Sequence, residues 1–558
     1  MSVITNSSKI NPLLLKGFRA RVRLKHMLSW GVVTVALTAF VALMTYLTMT
    51  EQELASREEA AMAVLPGVIV IQAIVLMMFG TGAVASGVAS EREDGLLDYV
   101  RMTPMSPTSK IFGYLFGLPV REYILFALTL PFIVIAVLIS GFSVLTLLHF
   151  YAVFFTSVWI YHLTGMVAGM ISQKPRLASM MSMGMVAVLY FVLPNLSRVG
   201  ITFFEFLTIR PTFFGLLQQE MPSSLQGTAE ASGIDSFRDV PFYSGLIHPT
   251  LYTLLVQGFM LAVMFSVVHR RWRDQACHVF SKAGALLVFA GVLVFLVGSV
   301  WAIVVSDDAY RQVFGSFGGG IGGSRSPESI ELLLSIALMI VGGTFVLLVS
   351  TTTPSRHTAV EGWRRALKNG RSRIGLNADG ASSLPLTLVM IVLTLSVGGL
   401  VLWLVGREHQ YYSGPPSTAS LLVLALSIVG IALFVQGVRE RMGFLVFGVG
   451  LFLVWVLPFF AMMIMYAAFE AFVAGSYVGL PCPPVLLVFA LGQMLETTAP
   501  LAGADPDYLP SELVDSAGAI TLVGAVGYMV AAGIAQGARA VHWRSVRSGL
   551  VTPVASPE

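Results

Sequence analysis

The chain has 558 residues, of which 56% are hydrophobic and only 11% charged, with 34 Lys and Arg against 30 Asp and Glu. No water-soluble domain of this length carries so much apolar surface without aggregating, so its solvent is lipid. The small basic excess is spread along loops rather than gathered on one soluble face, which argues against nucleic acid as a partner.

A helix needs about 20 apolar residues to cross roughly 30 Å of hydrocarbon. Twelve such runs follow one another: 28–48, 63–88, 123–140, 146–170, 177–194, 249–268, 283–305, 329–350, 385–405, 418–437, 443–466 and 516–537. The expected fold class is an all-α polytopic membrane protein of about 12 transmembrane helices. The first run begins near Leu28 and is long enough to span, so it is read as a membrane helix and not a removed signal peptide.

With the N-terminus placed in the cytoplasm, the inside segments hold 27 of the 34 Lys and Arg but only 10 of the 30 Asp and Glu. That is the asymmetry a correct span count produces. The outside segment 467–515 has no Lys or Arg, whereas the inside segment 351–384 has six, among them Arg364, Arg365, Lys368, Arg371 and Arg373. Both termini are therefore expected in the cytoplasm. Cys277 and Cys482 are placed on opposite sides of the membrane and are expected not to pair.

The spans group into two six-helix halves with matching loops, which reads as an internal repeat. Residues 1–27 form a cytoplasmic interfacial segment. The first half is 28–275, with a cytoplasmic loop at 89–122 and a long outside loop at 195–247. The second, diverged half is 276–558, with a cytoplasmic loop at 351–384 and a long outside loop at 467–515. Each outside loop holds an apolar piece too short to cross, Pro211 to Glu220 and Pro484 to Glu496. These are expected to be re-entrant or interfacial helices, or a small hairpin packed on the bundle, with Glu220 and Glu496 at matching ends. The halves also close alike, on His269-Arg270-Arg271-Trp272-Arg273 and on His542-Trp543-Arg544, which places Trp and Arg at the cytoplasmic interface.

The stretch Glu91 to Pro107 between the second and third spans reads as a short charged helix stopped by proline. Leu96, Leu97 and Val100 fall on one side at helical spacing, and Glu93, Asp94, Asp98 and Arg101 supply a polar surface. Before the first span, Leu14, Leu15, Phe18 and Val22 share one arc of a helical wheel, and Lys16, Arg19 and Arg23 share another, as an interfacial helix near anionic lipid requires.

Glu91, Glu93, Gly95, Leu96, Leu97, Asp98, Arg101, Thr103, Pro104 and Ser106 make up a loop that resembles that of the type-2 ABC transporter permeases, in which acid, Gly, Leu and acid precede a Thr-Pro-x-Ser turn. Asn11-Pro12 followed by Leu13 to Arg23 is similar to the connecting helix of the same family, and the outside re-entrant pieces occupy the matching place. The resemblance covers residues 9–273. It implies that the loop is a coupling helix seated in a cleft of an ABC ATPase subunit. It further implies ATP-driven export across the bacterial cytoplasmic (inner) membrane, with ATP and magnesium held by the partner. No G-x-x-x-x-G-K-[ST] loop occurs in the chain, and no cofactor, metal or catalytic residue is assigned to it. The second half departs from the pattern at Thr353-Pro354-Ser355-Arg356 and Trp363-Arg364-Arg365. Either one chain is a pseudo-dimer with one altered coupling loop, or two permease chains pair through their first halves. Substrate identity is not written in a motif; apolar, Met-rich and Phe-rich spans favour a lipid-like or amphipathic cargo.

Other readings stay open. An ion-coupled secondary transporter also uses two similar halves, but the spans are read as free of Asp, Glu, Lys and Arg, leaving His162 as the ionisable group inside, where packing explains it best. A membrane-embedded lipid or sugar transferase would need a base or metal site, for which the acids Asp505 and Asp507 are the nearest material. The G-x-G-x-x-G at Gly318, Gly320 and Gly323 has no preceding strand and is read as an outside loop.

Overall fold

The computed structural model describes residues 11–51, 56–172, 174–192, 194–196, 201–220, 239–274, 277–314, 327–371, 374–408, 417–495 and 511–551. Among these, twelve helices are long and apolar enough to cross a membrane. Spans 1 to 6 are Leu24–Glu51, Arg57–Glu93, Val120–Ser140, Val144–Ile171, Pro175–Leu196 and Pro249–Arg273. Spans 7 to 12 are Lys282–Val305, Ile330–Thr352, Leu384–Val405, Thr418–Arg441, Val446–Phe469 and Asp515–Ser545. Each of the twelve apolar windows coincides with one of these helices. The described sheet is one hairpin of two three-residue strands, Val240–Phe242 and Gly245–Ile247. The protein is an all-α, multi-pass membrane protein.

The shorter helices, in chain order, are α1 (Pro12–Arg21), α2 (Leu96–Met102), α3 (Pro107–Gly117), α4 (Arg210–Glu220), α5 (Asp307–Phe314), α6 (Arg356–Lys368), α7 (Phe472–Gly479) and α8 (Pro483–Leu495). The chain divides into two compact units, one holding nearly all of residues 1–276 and the other residues 277–558 with two short insertions from the 198–245 region.

In the first unit the core runs along span 2. Its N-terminus is a capping box, in which the Ser56 side chain accepts from the Glu59 backbone and Glu59 Oε2 accepts from the Ser56 N–H at 2.7 Å. Seven residues in its middle, Ile74–Gly80, widen into a π-helix. Such a widening offsets the backbone carbonyls from their usual partners, and the Leu76 carbonyl meets His162 Nε2 of span 4 at 3.0 Å. Below His162, Gly165 and Gly169 let span 4 lie directly on the Thr81 and Ala85 carbonyls, because a Cβ at either position would fall within 2.7 Å of them. His162 is fully buried, its ring edge-on to Tyr123; it is a packing residue. Two further polar knots join spans within this unit. Gln72 donates to Thr129 at 2.9 Å and accepts from Tyr151 at 2.8 Å, and Gln257 donates to Ser157 at 2.8 Å while accepting from Thr156. Each amide is satisfied, as a polar group in hydrocarbon must be.

The reading of the spans as free of charge does not hold. Glu331 already falls inside the apolar window 329–350, and elsewhere the helices run one to several residues past their windows, because backbone hydrogen bonding continues past the hydrocarbon edge. Glu122, Lys282, Glu331, Arg439 and Glu440 lie within spans and are buried. Glu122 is held by Arg121 at 2.5 Å, and Lys282 donates to the Ala378 and Ala381 carbonyls at 3.0 and 2.6 Å.

In the second unit, α7 and α8 form a V bent by 120°. At eight and thirteen residues neither crosses alone. Gly475 and Gly479 press α7 onto Tyr466 and Met462 of span 11, and Leu486, Ala490, Leu491 and Met494 of α8 are buried. Both cysteines are free and buried.

Candidate functional site

The segment that the sequence singles out begins where span 2 ends. Asp94 stops the helix, and Gly95 turns the chain at φ +72°. That left-handed conformation is open to glycine and strained for other residues. The expected single rod from Glu91 to Pro107 is therefore two helices at an elbow, span 2 to Glu93 and then α2. After α2, the Thr103 hydroxyl closes the end by donating to the Val100 carbonyl at 2.6 Å. The chain bends over residues 103–105 and reaches Ser106, which caps α3 by accepting from Ser109 N at 3.2 Å with Pro107 in the first turn.

Beyond the elbow, the two apolar edges of α2 part. Leu97 and Val100 are 1% and 6% exposed and join a core with Val84 and Val88 of span 2, Ile111, Tyr114 and Leu115 of α3, Leu163 and Met166 of span 4, and Val268 and Trp272 of span 6. Leu96 is not on that side, as the wheel suggested. It is 43% exposed, and with Tyr99 at 66% and Met102 at 78% it forms an apolar ridge at spacing i, i+3, i+6 facing outward. Glu93, Asp94, Asp98, Pro104 and Ser106 are exposed around this ridge. Large apolar side chains grouped on a short helix beyond the end of a span are the material of a docking surface.

The charged residues sort differently from their appearance in sequence. Glu91 faces inward, bound to Lys16 of α1 at 2.7 Å and accepting the Tyr114 hydroxyl. Arg92 donates to the Met170 carbonyl at 2.6 Å and to Ser172 at 3.4 Å, closing the end of span 4. Arg101 pairs with Asp98 at 2.7 Å and lies 5.9 Å over the Trp272 ring. Trp272 is buried against Tyr114 at 5.0 Å between ring centres, so it is a core residue of this bundle and not a lipid anchor. Lys110 donates to the Arg101 and Thr103 carbonyls at the end of α2. Burial, and then the nearby Arg101, hold its amine below the ordinary lysine value.

Helix α1 crosses α3 at very short range. A Cβ on Gly17 would fall 2.3 Å from the Gly117 carbonyl oxygen, and Asn11, which caps α1, donates to Ser109 O of α3 at 2.6 Å. Lys16 points to Glu91, while Phe18, Arg19 and Arg23 are exposed. Sequence reading missed the partners Tyr114, Trp272 and Lys110; the pairing of Gly113 with Gly117 four residues on is the one signal in α3 that marks a close crossing.

Of the outside candidates, α4 carries Glu220 at its last residue, and the placement of that side chain lies outside what is described. Glu496, Gly318, Gly320, Gly323, Arg373, Asp505 and Asp507 lie outside the described residues. Among the described residues no group of three or more His, Cys, Asp and Glu is placed to hold a metal ion.

The second half builds its corresponding end around Glu440. One carboxylate oxygen accepts from Ser382 Oγ at 2.6 Å, Ser383 N at 2.7 Å and Ser383 Oγ at 3.0 Å; the other accepts Trp543 Nε1 at 2.6 Å with Arg539 at 3.6 Å. Arg439 donates to Ser350 O at the end of span 8 at 3.0 Å. Helix α6, capped by Ser355, carries Arg356, Arg364, Arg365 and Lys368 exposed. It has no apolar ridge like that of α2. No protein-family model, no curated protein and no solved structure matches the chain.

Proposed function

We propose that this chain is the transmembrane permease subunit of an ATP-driven exporter of the type-2 ABC kind, working in the bacterial cytoplasmic membrane with an ATPase on a separate polypeptide. The observation that carries the reading is the two-sided α2. Its outer edge, Leu96, Tyr99 and Met102, is a free apolar ridge ringed by acids, and its inner edge, Leu97 and Val100, is packed against spans 2, 4 and 6. A partner that grips the ridge and closes on ATP moves α2, and close packing hands that movement to three spans at once, since packed interiors transmit displacement. The elbow at Gly95 lets α2 swing relative to span 2, while Arg92, on the span 2 side of the elbow, ties span 2 to the end of span 4.

A lipid-like or amphipathic cargo accords with the second half, where spans 7 to 10 enclose a cavity of about 230 Å³ lined by aliphatic side chains such as Leu296, Val300, Leu338 and Leu424. The buried acid Glu440 has both carboxylate oxygens engaged by donors, and Glu122 has one oxygen held by Arg121, which weakens both as sites for a coupling ion.

The test is affinity purification of the tagged chain from its native membranes in mild detergent, with an ATPase assay on what is bound. Wild type is expected to bring down a Walker-motif ATPase, and both Gly95→Pro and Tyr99→Asp are expected to release it. If wild type brings down no ATPase, the permease reading falls and an ion-coupled transporter takes its place.

A further inference from the structure

At the predicted cytoplasmic end of the second half, α6, the segment that follows it, the start of span 9 and the last turns of span 12 line an open cavity of about 420 Å³. Its wall carries two guanidinium groups, Arg539 and Arg544, two indoles, Trp363 and Trp543, and the aliphatic side chains of Ile374 and Leu376. The acid behind this wall, Glu440, is saturated by two serines, an indole and Arg539, so it does not neutralise the rest. Arg539 sends Nε to Gln536 and Nη1 to Ser382. Arg544 is exposed and, among the described residues, makes no hydrogen bond or ion pair. Helix α6 also exposes Arg364, Arg365 and Lys368, with Arg371 beyond it, and its acid Glu361 is bridged to Arg365 at 3.5 Å.

The cavity sits where a bilayer ends. Pro385, in the first turn of span 9, and Ala540, near the end of span 12, line it, and Leu376 and Leu367 expose more than half of their side chains beside it. Cations, indoles and aliphatic carbon share one wall, which offers each part of a phospholipid a partner: phosphate, glycerol ester and the start of the acyl chains. A free inorganic anion would use the guanidinium groups and leave the aliphatic wall without a role. We infer that this cavity holds the headgroup of an anionic phospholipid from the adjoining leaflet. Arg544 and Arg539 meet the phosphate, Trp363 and Trp543 lie at ester depth, and Ile374 and Leu376 lie against the first methylenes. The inference stands apart from the ATPase reading, since it concerns the other half of the chain.

The experiment places the purified full chain in phosphatidylcholine nanodiscs, titrates in dioleoyl-phosphatidylglycerol and counts retained lipid by native mass spectrometry. Wild type is expected to prefer phosphatidylglycerol about tenfold, and Arg544→Gln to lose about fivefold of that preference. Arg544→Lys is expected to keep most of it, and Arg364→Gln, on α6 outside the cavity, to lose less than about twofold. Equal losses for Arg544→Gln and Arg364→Gln would reduce the effect to general surface charge and overturn the site. Displacement of the lipid by excess inorganic phosphate would assign the site to a free anion instead, and equal retention of both lipids would also overturn it. Because Arg544 is exposed and unpaired, its replacement leaves the fold intact, and an unchanged melting temperature checks this.

Discussion

In the first half a Glu and an Arg stand side by side at the end of span 2: Arg92 closes the carbonyls of span 4, and Glu91 accepts Lys16 and Tyr114. In the second half the same two residue types stand at the end of span 10. There Arg439 closes the carbonyls of span 8, and Glu440 accepts two serines, Trp543 and Arg539. Counted within each half, the second and fourth spans are joined both times, with the donor and recipient exchanged. What differs is the surface left over once these acids are consumed. Around α2 it is an apolar ridge with Glu93, Asp94 and Asp98; around α6 it is Trp363 with Arg544 and the exposed basic residues Arg364, Arg365 and Lys368. An acid at the end of a span is thus an internal lock, and the surface that each half presents is set by the residues around that lock.

The comparison can be broken at the locks first. Glu440→Ala strands the half-buried Arg539 guanidinium, an indole and two serines around a buried hole, and about 3 kcal/mol of stability should be lost. Glu91→Ala removes a half-exposed lysine pair and one phenol bond, and about half as much should be lost. Thermal unfolding of both variants in detergent checks the ranking, and equal losses would mean that the two locks are equivalent. Next, Gly17→Ala forces a methyl into the Gly117 carbonyl and should destabilise by about 2 kcal/mol, freeing α1. Protection of α1 from protease, which should drop in this variant alone, reports it. Gly95→Ala meets no neighbouring atom and suffers only from its left-handed backbone, so a loss of about 1 kcal/mol is expected. A value near 3 kcal/mol would show that the elbow is under strain from packing as well.

The smallest effect is in pH. Burial, and then the Glu91 carboxylate, push the Tyr114 phenol well above its ordinary value. The folded chain keeps this proton where the unfolded chain gives it up, so the Tyr114 contribution is full below about pH 10 and fades as pH rises beyond it. The stability gap between wild type and Tyr114→Phe should therefore narrow above that pH. Parallel profiles would remove the phenol from the lock.

How far the candidate site was legible varies residue by residue. Gly95, Thr103, Pro104, Ser106 and Pro107 announced the elbow, the turn and the start of α3, since each acts on its own backbone or on atoms within three residues. Leu96 was assigned to the wrong edge because it stands about 100° from Leu97 at the border of the apolar arc, and tertiary packing decides which side of that border is buried. Glu91 looked like part of a docking surface and is spent inside, because its partners Lys16 and Tyr114 lie 75 and 23 residues away. Trp272 looked like an interfacial anchor for the same reason. The charge-free reading passed over Glu331 inside the window 329–350, and it missed Glu122, Lys282, Arg439 and Glu440 because apolar windows stop where hydropathy falls, whereas helices stop where their carbonyls find a cap.

Composition and order along the chain determined the all-α membrane class, the twelve spans, the grouping of basic residues on alternate loops and the break at Gly95. These follow from transfer free energies summed over consecutive residues and from backbone sterics, both of which are local. Which edge of α2 stays outside, which acid is consumed as a lock and where arginines and indoles converge into a cavity were decided by the tertiary structure alone. They depend on which helices cross, as in the contact of Trp543 with Glu440 across 103 residues, and no one-dimensional pattern encodes a crossing.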